Sequence, residues 1–302
     1  MPNIWTHMLF CEDVVDASGI PDSIHNHNYI LNIGAQGPDP FFYYKFWPWI
    51  SDQPVNEIGN ILHTKKCGAF LIDLIEAAKN KGDEIKSYVF GFITHHILDR
   101  ITHPYVHYHA GYSGNNHSKL EIVIDTLMME KYKNLKTWKT PVYKEVHINN
   151  KLRRDIAELL HQTIKKHFPN IKENTVSNII KAYKDMKLAL KLLADPHGWK
   201  IKVLGSTISP FSHQPITDHK DYLNLEHATW YHPATKIPSK KSFIDLYEQA
   251  KFEGIEIMKK VISYWNDRTN KDELIEILGD ISYDTGLPLE SDMENQYCKP
   301  II

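Results

Sequence analysis

Six histidines fall between positions 95 and 117: His95, His96, His103, His107, His109 and His117. Within this stretch lies His95-x3-Asp99-x3-His103. Positions four apart stack on one face of a helix, so these residues form a ridge of two imidazoles and a carboxylate. A divalent ion such as zinc accepts N and O donors of this kind. Pro104 follows at once and is expected to end or kink the helix, which aims His103 inward. His96 points about 100° away from the ridge and is the poorer ligand. His107 and His109 lie beyond the proline, either supporting the ligands from behind or exposed. The next helix carries His117-x3-Glu121, a second pair four apart, and Asp125 extends that face by one turn. Two neighbouring helices that each present His and carboxylate inward can surround a pair of metal ions.

A single His-x3-Asp is most often a surface pair or a satisfied polar contact. Here Tyr88, Gly91 and Phe92 precede the ridge on its own face, which marks that face as buried. Burying ionisable groups without partners is costly, and metal coordination removes the cost.

The surrounding pattern is helical. Apolar residues recur at three-to-four spacing between 54 and 80, from Ile58 to Ile75, with Pro54 and Gly82 as boundaries. A second helix is predicted from about Asp83 to Tyr105, with Asp83 and Glu84 favourable at its positive end. Further helices are expected near 6–17, 22–33, 116–135, 150–167, 172–194, 241–267 and 271–281. Strand signals are weak, and no Asn-Gly or Asp-Gly hairpin separates alternating runs. Residues 196–240 read as a long irregular loop, often a functional feature. The expectation is one all-α, multi-helical domain spanning 1–302, with a metal cluster between its helices.

Composition narrows the function. The 302 residues carry 35 Lys+Arg against 37 Asp+Glu, a formal net charge of -2. That balance disfavours a stable nucleic-acid complex. No run of about 18 apolar residues exists to span a membrane. The three cysteines, Cys11, Cys67 and Cys298, have unrelated spacings and suggest reduced thiols. The opening residues lack a basic region and an apolar core, so no signal peptide is read and a cytoplasmic location is expected. A zincin is excluded by the missing His-Glu-x-x-His, and a P-loop, a dinucleotide fingerprint and a G-x-S-x-G elbow are all absent. Only one Glu-x-x-His occurs, at Glu158 to His161, where a di-iron bundle needs two.

The motifs resemble the zinc-dependent phospholipase C family, which is akin to the S1/P1-type nucleases. The two i,i+4 helices carry most of the likeness. Thr6-His7 is similar to the early family histidine, Gly37-Pro38-Asp39 to its ligating aspartate, and His63 to a histidine of the following helix. Trp230 to Pro233 and Ser282 to Pro288 resemble segments of uncharacterised bacterial members. The resemblance implies an all-helical fold with two or three zinc ions. By the same likeness, Asp39, His63, His95 and Asp99 hold one ion, and His103, His117 and Glu121 hold a second. Asp99 bridges towards a third, which His7 also binds. In secreted members the amine and carbonyl of an N-terminal tryptophan complete that third site. Here the tryptophan is Trp5, whose amide nitrogen cannot act as an amine ligand.

The implied chemistry is hydrolysis of a phospholipid or related phosphodiester, with zinc acidifying the attacking water and Asp39 orienting it as a base. The aromatic run from Phe41 to Trp49 offers Tyr43 and Tyr44 as substrate contacts, or else core packing, and His232 is the best loop candidate. A transient membrane-surface contact fits a lipid substrate. Two alternatives stand beside this expectation: an S1/P1-like nuclease or other phosphoesterase, and a non-catalytic metal-stabilised protein that binds lipid or a protein partner.

Overall fold

The computed structural model describes residues 3–47, 49–50, 54–147, 149–196, 200 and 212–302. Eleven α-helices account for most of its regular structure among these residues: α1 (Ile4–Ser18), α2 (Asp22–His25), α3 (Asn28–Gly34), α4 (Asn56–Thr64), α5 (Cys67–Ala78), α6 (Asp83–Ala110), α7 (Asn116–Lys133), α8 (Asn150–His167), α9 (Val176–Leu193), α10 (Phe243–Trp265) and α11 (Lys271–Leu278). The all-α expectation holds. One short antiparallel ladder, β1 (Trp230–Tyr231) with β2 (Pro238–Ser239), lies in the stretch read as irregular. Most of the first part of that stretch, 197–199 and 201–211, is outside the described residues.

The axis of the molecule is α6. It is buried nearly all round, enclosed by other helices. Its buried residues run from Ile85 to Ala110, and α1, α3, α5, α7, α8 and α10 pack around it. The closest approach is to α3. A Cβ on Gly91 would fall 2.3 Å from the Leu31 carbonyl oxygen, and one on Gly34 would fall 2.2 Å from that of Tyr88. Two glycines facing each other let the backbones meet directly.

Three expected elements differ. The predicted 54–80 helix is broken at Lys65 and Lys66, where Lys66 turns left-handed at φ 52. The break frees the His63 carbonyl, which accepts from Tyr283 N at 3.2 Å. The 22–33 segment is two helices, α2 and α3, parted at Asn26 and His27. Pro104 does not end α6, which continues to Ala110. A proline at this position deprives the Arg100 carbonyl of its helical donor. Gly286 packs against that carbonyl so closely that a Cβ would sit 2.1 Å from its oxygen. Past Ala110, the chain end continues the stabilisation: Lys299 N and Ile301 N donate to the Tyr108 and His109 carbonyls at 2.8 Å each.

The other helix ends follow their residue types. Asn149, Thr175 and Asn270 cap the starts of α8, α9 and α11, and Ser242 with Asp245 forms a capping box on α10. Gly91→Ala is expected to destabilise the protein by about 1–3 kcal/mol through overpacking of α3 on α6. Urea unfolding followed by circular dichroism measures it.

Candidate metal centre

The ridge read from the sequence lies on α6, and four other elements bring side chains to it. His7 comes from the second turn of α1. Asp39 opens a 3-10 turn, Asp39–Tyr43, and His63 ends α4. His117 and Glu121 stand on the first turns of α7.

Backbone carbonyls fix three of the imidazoles. His95 Nδ1 faces the Ala35 carbonyl at 3.0 Å, His63 Nδ1 that of Gly59 at 2.7 Å, and His103 Nδ1 that of Tyr283 at 2.8 Å. A carbonyl oxygen only accepts, so each Nδ1 carries a proton, and in the neutral imidazole each Nε2 turns a lone pair inward. This is the usual outer support of a metal-ligating histidine. Gly37 makes room for one of them: at φ 49 it lies over His95, and a Cβ there would be 2.4 Å from the ring.

The lone pairs converge on carboxylates. His95 Nε2 is 3.0 Å from Asp99 Oδ2 and 3.7 Å from Asp39 Oδ1. His63 Nε2 is 3.4 Å from Asp39 Oδ1 and 3.9 Å from Asp99 Oδ2. His7 Nε2 lies 3.2 Å and His103 Nε2 3.8 Å from Asp99 Oδ1. On α7, His117 Nε2 meets Glu121 Oε1 at 2.6 Å. The ligand atoms fall into compact groups: Asp39, His63 and His95; His7, His95 and Asp99; and His103, His117 and Glu121.

These groups fit a cation. Asp99 is fully buried, and neither of its oxygens has a hydrogen-bond partner. His95 Nε2, His103 Nε2, both His7 nitrogens and Asp39 Oδ1 are buried in the same condition. A lone pair facing a carboxylate oxygen leaves no hydrogen between them, and only a positive charge makes the contact favourable. Burial draws the His7 and His103 imidazoles below their ordinary value, which keeps them in the neutral, ligating form.

Other residues named from the sequence sit differently. Asp125 does not extend the ligand face. Its carboxylate accepts from Trp5 N at 3.0 Å, Thr6 N at 2.9 Å and Thr6 Oγ1 at 2.5 Å, so it caps the start of α1 and sets His7. His213 meets the same carboxylate at 3.2 Å. Tyr43 is half-buried near Asp39 and Asp125, and its hydroxyl is held protonated by desolvation and by those charges. Tyr44 turns away, packs on α9 and donates to Asn178 Oδ1 at 3.1 Å. His232 is likewise committed elsewhere. Its Nε2 meets the Thr285 carbonyl at 3.1 Å, and its Nδ1 accepts from Ala234 N and Thr235 N at 3.2 and 3.3 Å. Tyr44 and His232 thus each have a structural partner. His96 also serves structure, with Nε2 at 2.9 Å from the Ile281 carbonyl.

Two contributors were not singled out as site residues. Tyr283 supplies the carbonyl that orients His103, and its ring edges against His63 at 5.0 Å between centroids. Asp284 contacts His107 Nε2 at 2.5 Å. The signals existed: Ser282 to Pro288 already stood out, and His107 continues the four-residue spacing.

The zinc dependent phospholipase C family matches residues 6–185. The chain belongs to the zinc-dependent phospholipase C family. The matched part contains every ligand candidate from His7 to Glu121, whereas Tyr283 and Asp284 lie outside it. No curated protein and no solved structure matches the chain. As in the sequence reading, none of the described helices is long and apolar enough to cross a membrane. Asp125→Ala is expected to cost about 1–3 kcal/mol by leaving the buried donors of α1 unpaired. It should also weaken zinc retention by loosening His7. Denaturation and elemental analysis of the same preparation check both effects.

Proposed function

We propose that the protein is a zinc-dependent phosphodiesterase of phospholipase C type, acting on a phospholipid or a closely related phosphodiester. The observation that supports this best is the fully buried Asp99 carboxylate, ringed by imidazole nitrogens and without a hydrogen-bond partner. On this reading Asp39, His63, His95 and Asp99 hold one zinc ion, His103, His117 and Glu121 a second, and His7 with Asp99 a third position. Zinc bound there supplies a Lewis acid for phosphate oxygens and lowers the pKa of water from 15.7 towards about 7.

The chain's own residues do the rest. Asp39 and His117 are the ligands that reach solvent, with side chains 14% and 29% exposed, so substrate enters on their side. Asp39 is then placed to take the proton from the attacking water. Phe42 lies over His63 at 5.5 Å between rings and keeps bulk water from that flank. The carbonyls of Ala35, Gly59 and Tyr283 hold the imidazoles still, so no ring has to reorient during reaction.

A lipid substrate is favoured over nucleic acid by the charge balance and by the aromatic rim. Phe46, Trp47 and Trp49 stack in succession at 4.7 and 5.1 Å, and Trp49 is 75% exposed. Such rings suit the headgroup region of a bilayer and a transient surface contact. The reading takes 1–302 as one domain, because the 281–288 segment rests on α6. It keeps the protein in the cytoplasm, in line with the free Cys11, Cys67 and Cys298.

The purified protein is expected to carry at least two zinc ions and to hydrolyse bis-p-nitrophenyl phosphate. Asp99→Asn and His117→Ala should lose metal and turnover together, whereas Asp39→Asn should lower kcat by about 10²–10⁴-fold. Zinc content unchanged in both Asp99→Asn and His117→Ala would refute the ligand assignment. A panel of phosphatidylcholine vesicles and single-stranded oligonucleotides tests the substrate class, and preference for the oligonucleotide would overturn the lipid reading.

A further inference from the structure

We propose that His107 and Asp284 are also metal ligands, so that the second cation position is built from two overlapping halves that share His103. This rests on the metal reading above and extends it to His107 and to Asp284, the latter beyond the family match. His103, His107 and Asp284 bring one ligand atom each within 4.8 Å of one another, just as His103, His117 and Glu121 do. The two flanking pairs are alike: His117 Nε2 meets Glu121 Oε1 at 2.6 Å, and His107 Nε2 meets Asp284 Oδ1 at 2.5 Å. The three imidazoles enclose one space, with ring centroids 5.6 Å apart for His103–His107, 5.7 Å for His103–His117 and 4.7 Å for His107–His117. His103 is 3% exposed, and its inward Nε2 has no hydrogen-bond partner.

Charge points the same way. With neutral imidazoles, Asp39 and Asp99 place two negative charges at the first position. Glu121 alone would place one at the second. Asp284 supplies the other, so each position balances one divalent cation.

The segment that carries Asp284 is fastened along the same stripe of α6. His96 binds the Ile281 carbonyl, Arg100 Nη1 donates to the Leu278 carbonyl at 2.8 Å, and His103 binds that of Tyr283. An Ile281–Pro288 bridge closes the loop. The carboxylate is thus delivered to α6 by a rigid turn. Three imidazoles and two carboxylates make a donor set larger than the four that zinc takes in closed structural sites. It suits a five-coordinate ion, and it tolerates cobalt in place of zinc.

The test is cobalt titration of the metal-stripped full chain, read by visible absorption and by proton NMR of the paramagnetically shifted imidazole N–H signals. His107→Gln and Asp284→Asn are compared with Asp39→Asn, and circular dichroism checks folding. The expected result is that His107→Gln removes one shifted signal. Both substitutions should weaken the second-bound equivalent by roughly tenfold or more and alter its absorption, while the first is kept. Asp39→Asn should do the reverse. A full set of shifted signals and wild-type cobalt affinity in both variants would overturn the proposal and leave the metal reading standing. A wild-type chain that takes up no cobalt or zinc would overturn both.

Discussion

The structure turns on one electrostatic conflict. Asp99 sits at the centre of a 28-residue helix, wholly out of solvent, with imidazole nitrogens on three sides and no donor for either oxygen. An isolated carboxylate in such surroundings costs many kcal/mol, and one that faces lone pairs costs more. A bound cation reverses the sign of the arrangement. On the proposed reading, the packing of α1, α4 and α7 around α6 would also assemble a coordination shell, and the two could not be varied separately.

That coupling explains the rigidity of the outer layer. Each orienting carbonyl belongs to a segment whose course is itself constrained. Ala35 follows α3, which meets α6 glycine to glycine. Gly59 lies within α4, one turn before His63. Tyr283 enters through the break between α4 and α5, where its N–H takes the freed His63 carbonyl. Moving any of these segments rotates an imidazole, so the fold's least forgiving contacts lie one layer outside the ligands.

How much of this was readable depends on distance along the chain. The ridge of His95, Asp99 and His103 and the pair His117 and Glu121 obey a four-residue period, which a helix converts directly into a shared face. Asp39, His63 and His7 have no such local signal and became visible only through their likeness to a family. The orienting carbonyls have no side-chain signature at all. His107 was obscured by Pro104: a proline usually ends a helix, but its cost here is one unmade bond at Arg100, and packing on every side of α6 absorbs it. Asp125 misled because its spacing matches the ligand face, while the unpaired N–H groups at the start of α1 claimed its carboxylate. Tyr44 and His232 show the same competition, each taken up by a structural partner.

The same competition bears on the third position. Trp5 stands where secreted relatives offer a terminal amine, yet its N–H is spent on Asp125 Oδ2. His95 has one inward lone pair and lies between Asp39 and Asp99, so it serves the first position. On the proposed reading, what would remain for a third ion is His7 and one oxygen of Asp99, a pair of protein ligands against four and at least three elsewhere. Affinity falls with each missing donor, so the third position is the weakest of the set. Its occupancy would then depend on what substrate or solvent adds, which would suit it to a leaving oxygen and not to holding the fold together.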